Sequence, residues 1–437
     1  MARNKGQKLW KKALKLIPGG SQLASKRAEQ FLPELWPAYY EKARGIEIQD
    51  LDGVKRKDFS FMGIGSCILG YADPDVNRAV MRAIEKGSMT TLNCYEEVEL
   101  AELLLQMHPW AGMVRFARTG GEAMAVAVRI ARAASRRDTV AICGYHGWHD
   151  WYLAANLGDA SNLDGHLLPG LQPAGVPRAL KGSAIPFNYN HIEELEKIVA
   201  ENEIGVIVME PMRSSYPEDN FLQNVRKIAD RIGAVLIFDE ITIGFRMNVG
   251  GMHQLLGVDP DIAVYGKGIS NGFPMAAIIG RRAVMEHAVL SFISSTYWTE
   301  RIGPVAAIAT IQKMRKYNVP EHLVKIGTII QNGWKELADR YDLRIKCSGI
   351  PPLATYSFEY GADSLTLHTF VNREMLKRGY LSTKSVYVSW CHKKSDVRKY
   401  LENLEEVFVL VRRALDKNRV SKLLSTPVLY GGFKRLT

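Results

Sequence analysis

The sequence predicts an α/β protein: a largely parallel β-sheet covered by helices on both faces, together with a smaller α+β domain. Two observations carry this expectation. Short β-branched runs, almost wholly apolar and so apolar on both faces of a strand, recur at 139–142, 206–209, 234–238 and 262–265. Helical periodicity fills the chain between them, as over 219–232, which is the alternation that parallel strands need for their crossovers.

Taken in chain order, the first fifteen residues carry six cations (Arg3, Lys5, Lys8, Lys11, Lys12, Lys15), interleaved with Leu9, Trp10, Ala13 and Leu14 and followed by Ile17. That spacing predicts an N-terminal helix with an apolar stripe packed on the body and its lysines in water. Pro18-Gly19-Gly20 ends the helix, and 45–50 followed by Asp52-Gly53 predicts a strand entering a turn. Residues 1–70 therefore read as an arm and part of the smaller domain, and 71–305 as the large domain. Beyond 305 the helical pattern dominates, with strands expected at 354–358 and 387–390 and a long helix over 396–415. Residues 306–437 complete the smaller α+β domain.

Composition narrows the function classes. At 437 residues, 47% hydrophobic and 24% charged, the chain is neither disordered nor fibrous, and no apolar run approaches the roughly 18 residues of a membrane span. Fifty-seven Lys and Arg against 46 Asp and Glu give +11, a balance that suits phosphate-bearing ligands or acidic sugars. The same charge would fit a non-enzymatic protein that binds nucleic acid or membrane, but the basic run reads as a solvated helix face, so neither partner is expected. No apolar signal core follows the first cations, which predicts a cytoplasmic protein. Cys67, Cys94, Cys143, Cys347 and Cys391 show no CxxC or His-paired spacing, so reduced thiols and no metal are expected.

Three segments carry chemistry. In 116–123, Thr119 and Glu122 have the spacing of a capping box, and Gly120 and Gly121 between them leave helix-start N–H groups open to a phosphate; a plain helix cap is the alternative. The apolar strand 234–238 runs into Asp239 and Glu240, and a strand of an open parallel sheet presents such an acid to a ligand; a solvated acid or a metal ligand are the alternatives. In Gly266-Lys267-Gly268, a lysine follows another apolar strand and, if desolvated in a cleft, becomes a nucleophile toward a carbonyl; a surface lysine is the alternative. Order and spacing favour one explanation for all three. Pyridoxal phosphate needs N–H donors for its phosphate, a carboxylate for its pyridine nitrogen and a lysine for its aldehyde.

With these motifs the chain resembles the class III, or omega-type, pyridoxal phosphate aminotransferases of fold type I, and within them the glutamate-1-semialdehyde aminomutase branch. The resemblance runs from Ile17-Pro18-Gly19-Gly20 to residue 415 and includes 69–74, 115–123, 144–150, Glu210-Pro211, 238–246 and 266–274. It implies a large, mostly parallel sheet of the seven-stranded type. It further implies Lys267 as the Schiff-base lysine and proton shuttle, Asp239 as the pyridinium partner, and Tyr145 and Ile241 on the two faces of the ring. Gly120 and Gly121, with Thr119, would receive the phosphate, His146 would stand behind the ring, and Glu210 would be among the cofactor-binding residues; for His146 a core histidine is an equal alternative. A phosphate-binding Thr from a second subunit corresponds to Thr299, five residues before Pro304, with Ser295 or Thr296 as alternatives. A homodimer with shared sites follows.

The resemblance also implies L-glutamate as amino donor and an aldehyde or ketone as acceptor. Trp298-Thr299-Glu300-Arg301 and the 151–180 stretch, with Asp159, Asn162, Asp164 and His166, depart from the aminomutase pattern. They resemble a sub-branch that aminates sugars of bacterial surface polysaccharide, including the C8 position of oxidised Kdo in lipopolysaccharide synthesis. Glutamate-1-semialdehyde 2,1-aminomutase is the alternative.

Overall fold

The structure is a computed structural model describing residues 4–166, 169–212 and 215–431. The chain forms two compact units, one made of Met1–Asp73 with Glu321–Thr437 and the other of Pro74–Pro320. The first begins with the helix Lys5–Leu16, whose Trp10 and Ala13 are buried while Leu9 and Leu14 remain partly in solvent. The apolar stripe is thus narrower than its spacing predicts. Strands β1 (Tyr40–Arg44), β2 (Glu47–Asp50) and β3 (Lys55–Phe59) follow, within the same unit.

The second unit carries β4 (Met113–Ala117), β5 (Thr139–Cys143), β6 (Ala184–Pro186), β7 (Ile204–Met209), β8 (Val235–Asp239), β9 (Ile262–Tyr265) and β10 (Ala276–Gly280). They form one seven-stranded sheet in the order β4-β10-β9-β8-β7-β5-β6. Only β10 runs antiparallel to its neighbours β4 and β9. Alternate residues of each strand enter different cores: Val206, Val208 and Ile237 pack with the helix Gly120–Ser135. Ile207, Met209, Leu236 and Phe238 pack instead with the helix Phe221–Ile232. Burial on both faces is why these strands read as continuous apolar runs.

The return of the chain to the first unit adds β11 (Ile345–Ser348), β12 (Leu353–Phe358), β13 (Tyr380–Ser382) and β14 (Ser385–Tyr387). β13 joins β1, β2 and β3, and β11, β12 and β14 make a three-stranded sheet. The long helix is Lys394–Asp416. The strand expected at 387–390 lies at Ser385–Tyr387 instead, because Val388 and Trp390 give their N–H groups to Pro352 and Ile68 singly and leave the ladder. The large unit also extends past the expected boundary at 305. The helix Ile302–Tyr317 belongs to it, pinned by Lys313 to Asp75 at 2.7 Å and flanked by Arg301 on Glu96 at 3.1 Å. Among the described residues no helix is long and apolar enough to cross a membrane, and no cluster of His, Cys, Asp or Glu is arranged to hold a metal.

Candidate active site

At the end of β4 the chain turns into the helix Gly120–Ser135 through a complete capping box. Thr119 Oγ1 accepts from Glu122 N at 3.4 Å, and Glu122 Oε2 accepts from Thr119 N at 3.0 Å. Gly120 and Gly121 are the first residues of the helix, where N–H groups have no intrahelical acceptor and the helix dipole is positive. Arg118 fixes this turn from behind: Nε meets Glu300 Oε1 at 2.8 Å, and Nη2 donates to the carbonyls of Trp298 and Glu300, each at 2.8 Å.

Strand β8 is buried at every residue and delivers Asp239 at its carboxyl end. Oδ1 accepts from Ile241 N at 3.0 Å, Oδ2 lies 2.8 Å from His146 Nδ1, and His146 Nε2 faces the Cys143 carbonyl at 3.2 Å. The adjacent Glu240 has a different task. It takes the N–H groups of Met252 and His253, both at 2.9 Å, and His253 Nδ1 at 2.8 Å. Trp110 donates its indole N–H to His253 Nε2 at 3.0 Å, so the proton that Glu240 receives sits on Nδ1. Asp239 is bonded to His146 and Glu240 to the turn at 252–253.

Strand β9 leads through Gly266 to Lys267, whose φ of +43° is the left-handed region that non-glycine residues adopt at a cost. Its Nζ donates to Thr242 Oγ1 at 2.7 Å. Behind it, Tyr265 is fully buried and its hydroxyl meets His108 Nε2 at 2.8 Å; burial holds that phenol well above its ordinary range.

The segments meet at Ile241. A Cβ on Gly120 would come within 3.0 Å of Ile241 Cδ1, and one on Gly266 within 3.2 Å of Ile241 Cγ2. The helix start, the residue after the strand-end acids and the lysine turn therefore share one wall. Tyr145 is tied in through its neighbours: its N–H points to Glu210 Oε2 at 3.3 Å, and Gly144 donates to His166 Nδ1 at 3.1 Å. Gly144 has φ +112°, and a Cβ there would lie 2.8 Å from Glu210 Oε2, so glycine is required twice over. Burial, with His146 nearby, pushes His166 down to about 4. Thr299 does not join this cluster within its own chain. It lies on the exposed turn Thr296–Thr299 and gives its hydroxyl to the Thr296 carbonyl at 2.9 Å.

The arrangement fits pyridoxal phosphate on its own chemistry. It offers a helix start whose first two residues carry no side chain, a buried carboxylate with lone pairs left after two bonds, and an amine on a turn that shares the Ile241 wall. Residues 32–352 match the family described as Aminotransferase class-III. The chain belongs to this family. Among relatives of this class-III aminotransferase, glutamate-1-semialdehyde 2,1-aminomutase of Caldivirga maquilingensis is 32% identical over 424 residues, covering 92% of this chain and 96% of the relative. The 2'-deamino-2'-hydroxyneamine transaminase of Streptomyces kanamyceticus is 28% identical over 334 residues, covering 76% and 80%. The solved omega-transaminase from Sphaerobacter thermophilus superposes with a TM-score of 0.82 at 26% identity, covering 93% of this chain and 97% of that one. The fold is fold type I, the chain is a pyridoxal-phosphate-dependent aminotransferase, and its cofactor is pyridoxal 5'-phosphate.

Sequence reasoning missed Thr242, Arg118 with Glu300, and the pair Glu240 and His253. Thr242 and Arg118 lie within the motif segments, but their partners stand 25 and 182 residues away, a separation that no local pattern reports.

Proposed function

We propose that this class-III aminotransferase carries the amino group of L-glutamate to an aldehyde or ketone, with Thr119, Gly120, Gly121, Tyr145, His146, Glu210, Asp239, Ile241 and Lys267 forming its cofactor site. The observation that carries the reading is that Gly120 and Gly266 both meet Ile241 at contact distance, which supports a phosphate cradle, an acid and an amine gathered at one site. When bound, pyridoxal phosphate supplies a carbonyl that accepts and returns an amino group and a ring that withdraws electrons. Asp239 holds the proton on the ring nitrogen, and His146 keeps its carboxylate aimed. Lys267 Nζ, positioned by Thr242, takes a proton from the substrate carbon that bears nitrogen and returns it. Tyr145 and Ile241 would pack on the two faces of the ring, and Glu210 accepts from the Tyr145 N–H.

The functional unit in this reading is a homodimer in which Thr299 completes the partner's phosphate site. Its own turn supports this: Val289, Leu290, Phe292 and Tyr297 just before it are 86%, 75%, 88% and 71% exposed, an apolar surface that a second copy would cover. The acceptor we propose is the carbonyl of an acidic sugar, such as 8-oxo-Kdo in lipopolysaccharide synthesis, which suits the net charge of +11. The relative acting on a hydroxyneamine supports an acceptor that carries hydroxyls. The aminomutase relatives favour glutamate-1-semialdehyde as a second reading. The two separate cleanly: with L-glutamate and the aldehydo-sugar the protein should release 2-oxoglutarate, whereas an aminomutase turns over the semialdehyde alone and releases none. Efficient turnover of the semialdehyde with no sugar accepted would sink the sugar reading.

A further inference from the structure

We propose that His166 is a positioning residue that ties the segment 151–180 to Tyr145, by holding the backbone from which the Tyr145 ring projects. The proposal rests on the reading that places Tyr145 against the cofactor ring. Of the four residues that set this segment apart in sequence, three bond within it. Asp159 Oδ1 accepts from Ser161 N and Oγ at 2.9 and 2.7 Å, Asn162 Nδ2 donates to the Ala155 carbonyl at 2.8 Å, and Asp164 Oδ1 accepts from Gly170 N at 2.7 Å. His166 reaches out of the segment and takes the Gly144 N–H on Nδ1 at 3.1 Å. It does so from an anchored turn: Leu163 is fully buried and gives its N–H to Asn156 Oδ1 at 3.0 Å, and Asn156 Nδ2 donates to the Leu171 carbonyl at 2.7 Å.

Gly144 is the joint. With φ +112° and no side chain, it does not by itself fix the direction of the residue that follows, so hydrogen bonds must. The peptide before it is held at its carbonyl by Glu210 N at 3.2 Å and at its N–H by His166. The peptide after it is held at its carbonyl by the Tyr152 hydroxyl at 3.0 Å and at its N–H by Glu210 Oε2 at 3.3 Å. Tyr145 projects from that second peptide, and two of the four bonds, from Tyr152 and His166, come from the 151–180 segment. A backbone N–H only donates, so Nδ1 of His166 must keep its lone pair. Burial, with His146 nearby, pushes the imidazole down to about 4, which leaves that lone pair in place at neutral pH.

The test asks whether His166 acts through Tyr145. Dissociation constants of pyridoxamine phosphate are measured by fluorescence on cofactor-free protein, and visible circular dichroism is recorded on the holoenzyme, for the parent, His166→Leu, His166→Gln, Tyr145→Leu and the Leu-Leu double variant. Thermal unfolding checks that each folds, and His166→Met, flexible and without a strong acceptor, takes the place of His166→Leu if leucine disturbs packing. For His166→Leu the constant should rise about tenfold and the visible band of the bound chromophore should weaken, while His166→Gln, whose amide oxygen accepts, stays within about threefold of the parent. On the Tyr145→Leu background, where the ring to be placed is gone, the same change should add less than about twofold. An equal loss on both backgrounds, or none on either, would overturn the proposal. Tyr145→Leu separates the two levels: if it raises the constant and His166→Leu does not, His166 alone is wrong. If Tyr145→Leu alters neither the constant nor the spectrum, Tyr145 does not face the ring and the underlying reading falls as well.

Discussion

His146 Nδ1 stands 2.8 Å from Asp239 Oδ2 with both side chains shut off from solvent, at 0% and 4% exposure. A buried carboxylate needs its hydrogen bonds to stay charged and correctly turned. This one has a backbone N–H on one oxygen and an imidazole on the other. If Asp239 retains the ring proton as proposed, replacing it by Asn should lower kcat about a thousandfold or more. His146→Asn removes only the aiming group and should cost about ten- to a hundredfold, the usual scale for a residue acting through another. Stopped-flow absorbance of the half-reaction with L-glutamate measures both, and equal losses would show that His146 does more than orient.

Thr242 anchors Lys267 Nζ at 2.7 Å, and Lys267 already sits on a turn with φ +43°. The hydroxyl restricts the amine to one side of its arc. Thr242→Val should reduce kcat about tenfold with KM little changed, since losing one positioning hydrogen bond costs about 1 kcal/mol or a little more, close to a factor of ten in rate. Thr242→Ser should restore it. A change in KM alone would mean that Thr242 contacts substrate instead.

Legibility divides along the length of the interaction. Lys267, Asp239, Gly120 and Gly121 stand at ends of strands and starts of helices, where local sequence dictates both the element and the chemistry, and the structure places them around one residue. The strands β7 and β8 were equally readable because burial on both faces leaves a run of apolar residues. The antiparallel strand β10 was not: Ala276–Gly280 opens on two alanines and ends on glycine, and its direction is set by pairing with β4 and β9. The strand end at 385–387 slipped because Val388 and Trp390, although β-favouring, find acceptors outside the ladder. Arg118 with Glu300, and Glu240 with His253, are pairings made by tertiary structure, and their partners cannot be named from either residue's surroundings in sequence.

Buried histidines give the stability a pH dependence. Burial pushes His108 from 6.5 down to about 4 and His368 down to about 3, each with its ring engaged in hydrogen bonds as the neutral form. Below 6.5 the unfolded chain takes up protons that the folded chain refuses, so stability falls as pH drops toward 4 and is fully present above 6.5. For His108 the loss is on the order of 3 kcal/mol once titration is complete. Urea midpoints measured across this window should fall with acid, and less steeply for His108→Gln than for the parent. Parallel curves would show that His108 is not among the responsible groups.

The exposed turn bearing Thr299 makes the dimer testable without a structure of it. Arg118, one residue before the capping threonine, holds the carbonyls on either side of Thr299, and among the described residues the Thr299 hydroxyl meets only the carbonyl of Thr296. In the proposed homodimer a residue presented in that way would serve the partner's phosphate site. Lys267→Ala and Thr299→Ala homodimers should each be impaired, the first completely. In a mixed dimer, the chain keeping Lys267 receives an intact Thr299 from its partner, which rebuilds one whole site, while the other site lacks both. Random reassortment gives half mixed dimers with one good site each, so activity should recover to about a quarter of the parent's. If Thr299 instead acted within its own chain, no mixed dimer would contain a whole site, and mixing would add nothing beyond the residual rate of Thr299→Ala.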